Sequence, residues 1–200
     1  MVSIYGNHYE DLKKVKDKIL NDISDIEKDI KKVKGMDPIE HINSRIKSEE
    51  SMKEKCVRKG LPVNEDSALN KIHDAIGIRV VCAFLDDVYD IKDALIARED
   101  YTVIQEKDYI RNVKPSGYRS YHLILKTDGY YCEIQLRTIA QDSWAALEHH
   151  IKYKKHISGD LHLIESELKR CADEMASTDI SMQAIRNIIL EDNNHENTIS

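Results

Sequence analysis

No two of the four cysteines in this 200-residue chain are close in sequence: Cys56, Cys82, Cys132 and Cys171 form no CxxC pair. That usage fits free buried thiols in a reducing cytosol rather than a disulfide framework. No apolar run approaches the ~20 residues that span a bilayer. The opening MVSIYGNHYE lacks the charged head and apolar middle of a secretory signal, so a cytoplasmic location is expected. An excess of basic residues is also missing. Lys and Arg number 30 against 36 Asp and Glu, for a formal charge of −6, which argues against a general nucleic-acid coat protein. A local basic pocket remains compatible with that total, because field focusing is local. There is no GxxxxGK[ST] phosphate loop, no internal repeat and no low-complexity tract.

What is present is enough apolar residue for a core, 41%, beneath a heavily charged surface, 33%. The first segment repeats Leu12, Val15, Ile19, Ile23, Ile26, Ile30 and Val33 at steps of three and four, which predicts a helix. Its narrow stripe suits either its own core or a second subunit. Gly35 and Pro38 end it. Ile39 to Lys47 reads as a strand with Asn43, Arg45 and Lys47 on one face and Ile42, Ser44 and Ile46 on the other. Ser48 caps a short helix that Gly60 and Pro62 close, and Lys55 on it either stays solvated or faces a phosphate. A further short helix precedes Ile76 to Phe84, a nearly continuous apolar strand expected to be covered on both faces. A helix follows over Asp87 to Arg98, then a strand over Tyr101 to Ile110. Helical spacing returns from Ile139 to Lys155. Two more helices are expected, about Asp160–Met175 and Asp179–Glu191, before a polar tail that frays. The pattern predicts an α+β (mixed α/β) fold, a mixed sheet of about five strands with flanking helices, in one domain: residues 1–38 an N-terminal helix, 39–155 a core, 156–200 C-terminal helices.

The densest chemistry lies between Lys107 and Thr138. Asp128–Gly129 between two alternating runs is a strong hairpin signal. A two-residue turn pairs Thr127 with Tyr130, so Ile124 faces Glu133, His122 faces Gln135 and Ser120 faces Arg137. Opposed residues share a face. One face therefore carries Tyr118, Ser120, His122, Glu133, Gln135 and Arg137, and the other Leu123, Leu125, Cys132, Ile134 and Leu136. A half-solvated antiparallel sheet also turns polar residues outward, but the neighbouring residues favour a site. Lys107, Arg111, Lys114 and Arg119 crowd the approach, and Ser116–Gly117 would let the backbone come close to a ligand, as a phosphate cradle requires. Tyr118 offers a ring on which a base could stack.

Two carboxylates stand out. Asp74 immediately precedes the apolar strand, and Glu133 sits mid-strand between apolar neighbours. A charge there is costly unless it is paired or metal-bound. Both are hard oxygen ligands of the kind that hold Mg²⁺, and Glu133 could accept a proton from a sugar hydroxyl. The alternative is a structural ion pair with Arg79 or Arg137.

Six segments in order, EHINSRIKS (40–48), SMKEK (51–55), HDAIGIRVVCAF (73–84), KDYIRNVKPSGYRSYH (107–122), EIQLRT (133–138) and WAALEHHIKYK (144–154), resemble the RelA/SpoT synthetase family. In length the chain resembles its small, single-domain alarmone synthetases. The likeness covers roughly residues 39–155. It implies a nucleotidyltransferase-like synthetase fold and a GTP pyrophosphokinase activity of the stringent response: the β,γ-pyrophosphate of ATP moves to the 3′-hydroxyl of GDP or GTP and AMP leaves. By resemblance, Arg45, Lys47, Lys55 and Arg79 would bind ATP, Asp74 and Glu133 would hold Mg²⁺ and act in catalysis, and Tyr118 would carry the guanine. Lys107, Lys114 and His122 would contact the acceptor's 5′-phosphates, with Gln135 and Arg137 beside them. A homo-oligomer, a tetramer in relatives, is implied, and RNA binding stays open. Val113 replaces a proline common in the family, Tyr121 an aliphatic residue, and the hairpin is short.

Other readings carry less. His73–Asp74 spells HD, but no companion ligands of a phosphohydrolase accompany it. His149 and His150 point ~100° apart on a helix, so both cannot easily bind one ion. Glu148 and His149 read as structural or acceptor-side residues. A different acceptor, a tRNA 3′ end or an adenosine nucleotide, is the alternative enzyme reading, and a non-catalytic nucleotide- or RNA-binding module is the alternative outside enzymes.

Overall fold

The computed structural model describes residues 3–153 and 160–199. Helix α1 (Tyr9–Lys34) buries Leu12, Val15, Ile19, Ile23 and Ile26 and stops at Gly35, whose φ of 72° suits the left-handed cap. The stripe packs on the chain's own core: α1 touches α3 (Leu85–Ile96), β1 (Ile39–Ile46), β2 (Ile76–Cys82) and β5 (Tyr130–Thr138). Only its last member, Val33, stays exposed. Each fully buried Leu or Ile contributes about 1.5–3 kcal/mol, so this face anchors the helix.

The sheet is five-stranded and mixed, in the order β1-β2-β5-β4-β3, where β3 is Thr102–Asp108 and β4 Tyr121–Thr127. Only the β2–β5 pair is parallel. The hairpin register agrees with the sequence: Thr127 opposes Tyr130, Ile124 opposes Glu133 and His122 opposes Gln135. Asp128 (φ 50°) and Gly129 (φ 86°) both take positive φ, the backbone of a tight primed turn. A register shift in β3 between Val103 and Gln105 sets Gln105 opposite Ile124 and Lys107 opposite His122. Both thereby join the polar face.

Helix α2 (Glu49–Arg58) is capped by Ser48, whose hydroxyl accepts from the Ser51 N–H. The short helix after it is a single π-turn, Ser67–Lys71. Strand β2 is less covered than its apolar sequence predicts. Ile76, Ile78, Val80 and Cys82 are buried, but Gly77 and Arg79 are only half-buried and open on a cleft. All four cysteines are free thiols.

Helix α4 (Ile139–Tyr153) follows β5 directly; its expected end at Lys155 lies outside the described residues. Beyond it the sequence predicts two helices, but the structure has one, α5 (Leu161–Ile199), which also includes the tail expected to fray. The hydroxyls at the expected break are satisfied within the helix. Thr178 Oγ1 donates to the Glu174 carbonyl and Ser181 Oγ to the Ser177 carbonyl, the back-bonding that lets Ser and Thr sit mid-helix. With neither Gly nor Pro present, nothing interrupts it.

Helix α5 is fastened along its length. Trp144 Nε1 donates to the Leu168 carbonyl, and Thr138 Oγ1 to Asp179. Arg186 is fully buried over the Phe84 ring and pairs with Asp86 and Asp87, which Lys34 at the end of α1 also meets. Asp86, Asp87 and Asp90 lie close enough to suggest a cation, but these two basic side chains already offset most of their charge.

Candidate active site

Glu133 belongs to two cavities at once. The first, of about 180 Å³, is lined by Asn43, Ser44, Arg45, Lys47, Asp74, Gly77, Arg79, Glu133 and Gln135. The second, of about 240 Å³, is lined by Gln105, Lys107, Tyr109, Lys114, His122, Ile124 and Glu133. They meet because β5 lies between β2 and β4, so alternate β5 residues face both neighbours.

Around the first cavity, β1 supplies Arg45, the residue just after it is Lys47, β2 supplies Arg79, and the segment before β2 supplies Asp74. The Lys47 N–H donates to the Ala75 carbonyl, which ties the end of β1 to Asp74. Asp74 Oδ2 lies 3.1 Å from Lys47 Nζ and 2.5 Å from Lys55 Nζ. Its other oxygen, Oδ1, is buried with no hydrogen-bond partner among the described residues, and so is Arg79 Nε. Buried polar atoms left open are costly, and both belong to residues lining this cavity. His73 stacks on Tyr131 at 4.0 Å, one residue before Asp74.

The carboxylates' ion-pair partners differ from those the structural alternative named. Asp74 pairs with lysines rather than Arg79, and Glu133 with His122 rather than Arg137. Both arginines meet Asp142 instead, at 3.4 Å and 3.0 Å, because the first turn of α4 brings that carboxylate onto the polar face.

Glu133 is one member of a closed ring of five side chains. His122 Nδ1 lies 3.4 Å from Glu133 Oε1. Tyr118 Oη is 2.8 Å from His122 Nε2. Arg137 Nη2 donates to Tyr118 Oη at 2.7 Å and to Gln135 Oε1 at 3.1 Å, and Gln135 Nε2 donates to Glu133 Oε2 at 3.2 Å. The hydrogen bond with His122 outweighs burial and holds the Glu133 carboxyl down to about 2, so it is ionised at neutral pH.

Of the basic groups expected near the hairpin, Lys107 and Lys114 line the second cavity. Lys114 Nζ lies 4.3 Å from the centre of the Tyr109 ring and 5.0 Å from that of Tyr118. Arg111 and Arg119 turn elsewhere. Arg111 meets Asp108 and the Tyr89 ring, and Arg119 meets the Ala172 carbonyl and Asp173 on α5. Gly117 likewise serves packing. A Cβ there would stand 2.7 Å from the Ala172 side chain, so its close approach is to a helix rather than a ligand.

Tyr118 and Arg137 line neither cavity. Arg137 is buried within the ring, and Tyr118 lies between the cations of Lys114 and Arg137. Gln135 faces the first cavity. Sequence reasoning missed Tyr109, Gln105 and Asp142. Tyr109 and Gln105 carried a signal in the strand alternation and in their distance from Lys107, whereas the link from Asp142 to two arginines had none. Glu148 lines a separate cavity with Pro115 and Glu165.

The model of the region found in RelA/SpoT proteins matches residues 44–158. GTP pyrophosphokinase YwaC of Bacillus subtilis is 40% identical over 162 residues, 77% of each chain. The crystal structure of small alarmone synthetase 2 from B. subtilis superposes with a TM-score of 0.78 at 36% identity, over 90% of this chain and 97% of that one. That of small alarmone synthetase 1 from the same organism, bound to its product pppGpp, gives 0.73 at 32%, over 91% and 94%.

Proposed function

On the premise that the chain belongs to the RelA/SpoT family, we propose that it transfers the β,γ-pyrophosphate of ATP to the 3′-hydroxyl of GDP or GTP in stringent-response signalling. It is a GTP pyrophosphokinase. The observation that carries the residue-level reading is the shared carboxylate: Glu133 lines a basic cavity on each side. Two nucleotides seated in them would present donor phosphates and acceptor sugar to one group.

In this reading ATP takes the first cavity, with Arg45, Lys47, Lys55 and Arg79 on its phosphates and adenine. The guanine nucleotide takes the second, its 5′-phosphates on Lys107, Lys114 and His122 and its base reaching past the lining to Tyr118, whose ring centre lies 5.0 Å from Lys114 Nζ. Gln135 and Arg137 hold the groups between them. The 3′-oxygen forms a bond to the β-phosphorus and its proton passes to water. The bond from that phosphorus to the α–β bridging oxygen breaks, and AMP leaves with the oxygen. Such transfers need alignment and charge neutralisation more than covalent help. Glu133, ionised and of low basicity, orients the 3′-hydroxyl by hydrogen bonding, and alignment contributes more than proton abstraction.

The acidic pair fits Mg²⁺. Asp74 offers a buried oxygen with no partner among the described residues, Glu133 offers a second carboxylate, and Mg²⁺ takes one or two such ligands plus substrate phosphates. When bound, it would offset the charge of the triphosphate.

We place the protein in the cytoplasm, with residues 39–155 as the catalytic core of one domain. Among the described residues no helix is long and apolar enough to cross a membrane. We also propose a homo-oligomer, a tetramer, built partly on α5, which leaves Ile180, Ile185 and Ile188 more than half exposed. Light scattering above the 23.1 kDa of one chain supports this, and a monomer at micromolar concentration refutes it.

The deciding experiment incubates the protein with ATP, Mg²⁺ and GDP, GTP, 3′-deoxy-GDP or ADP, and separates the products by anion exchange. AMP with guanosine tetra- or pentaphosphate from GDP or GTP, and none from the 3′-deoxy acceptor, supports the reading. Turnover with ADP alone moves the acceptor to adenosine nucleotides.

A further inference from the structure

Asp142 is used by none of the roles above, yet one of its oxygens serves both halves of the site. Oδ1 lies 3.4 Å from Arg79 Nη1 and 3.0 Å from Arg137 Nη1. Arg79 is 41% exposed in the first cavity with its Nε unpartnered, whereas Arg137 is 5% exposed within the ring that seats Tyr118. One carboxylate oxygen thus divides its charge between an exposed arginine and a buried one. Burial, and after it the like charge of Arg137, lowers the pKa of Arg79.

We propose that Asp142 is a positioning residue that couples occupancy of the ATP cavity to the guanine-nucleotide cavity. The inference rests on the two-cavity reading above. ATP draws Arg79 toward its own anionic groups. Asp142 Oδ1 is then left to Arg137 alone, and the Asp142–Arg137 ion pair tightens. Arg137 Nη2 holds Tyr118 Oη at 2.7 Å and Gln135 at 3.1 Å, so a firmer Arg137 fixes the Tyr118 ring and the ring of contacts around Glu133. The acceptor then binds a site already ordered, which is positive coupling.

The test is calorimetric binding of GDP to the full chain, alone and with a saturating methylene-bridged ATP analogue. Typical coupling between sites is about 5- to 150-fold. The wild type is expected to bind GDP at least about fivefold more tightly when the analogue is present. In Asp142→Asn, which keeps the shape but removes the charge, that ratio should fall toward one, with a melting temperature within a few degrees of wild type. Asp142→Glu should restore a substantial part of it. A merely structural role would weaken both nucleotides and leave the ratio unchanged. An unchanged ratio in Asp142→Asn, or a ratio of one in the wild type, overturns the proposal. Should Asp142→Asn not fold, Asp142→Ser, which also removes the charge, is read in its place: an unchanged ratio overturns the proposal and a reduced ratio supports it. Product formation from ATP and GDP by the wild type is measured in parallel. Its absence defeats the functional reading itself, whereas turnover without coupling defeats only the inference.

Discussion

Glu133 Oε1 lies 3.4 Å from His122 Nδ1, and this contact is the largest influence on the carboxyl, holding it near 2 rather than the ordinary 4.5. A folded-state value below the unfolded one means that the ionised carboxylate stabilises the fold above pH 4.5, and that this contribution is lost as pH falls through 2. His122→Gln should raise the carboxyl's pKa toward 4.5. Carbon NMR titration of the glutamate carboxyls reads this directly. The gap between wild-type and variant urea midpoints should be open at pH 5–7 and close as pH falls from 4.5 toward 2. A carboxyl unmoved by the substitution would assign the low value to another cause.

Replacing Glu133 by Gln keeps the shape and the hydrogen bonds to Gln135 but removes the charge. AMP release from ATP and GDP should fall by about 10²-fold, the cost of a reacting group misplaced by about 1 Å, with the fold retained but, without the ionised carboxylate beside His122, a lower melting temperature. Near-normal turnover would remove Glu133 from the reaction.

Tyr118→Ala takes away the proposed stacking ring. Stacking contributes about 1–3 kcal/mol per base, so GDP affinity should drop by roughly one to two orders of magnitude while binding of an ATP analogue changes little. Calorimetry on each nucleotide separately checks this. Equal losses for both would place the ring's role in the fold.

Gly117 has a φ of 89° and room for no Cβ against Ala172. Gly117→Ala should lower the unfolding free energy by about 1–3 kcal/mol. At this chain length that is about 2–4 °C in Tm per kcal/mol. Gly35 also has a positive φ but faces open space, so Gly35→Ala should lose only the backbone part and melt higher than Gly117→Ala.

How far these residues could be read in advance depended on the range of the interaction. Asp128–Gly129 fixes its own turn, and strand alternation then sets Glu133, Gln135 and His122 on one face without knowledge of the rest. The α1 stripe was equally clear, but its partner was not, because an apolar face carries no address. Arg111 and Arg119 match Lys107 and Lys114 in type and position, and only the docking of α5 decides that Arg119 serves a helix rather than a ligand. Asp142 lies beyond reach for the same reason: its two arginines come from β2 and β5, which the sheet order alone makes neighbours. The break expected near Met175 failed because local hydroxyl contacts can be satisfied inside a helix as well as at its end.

The central claim is that two phosphates move together from ATP to a 3′-hydroxyl. It is tested most directly with ATP labelled in both the β and γ phosphates, GDP, Mg²⁺ and the purified chain. Both labels should appear on one guanosine tetraphosphate, attached at the 3′ position, with one unlabelled AMP for each. Label found in ADP and free phosphate, or only one labelled phosphate on the acceptor, would contradict the account.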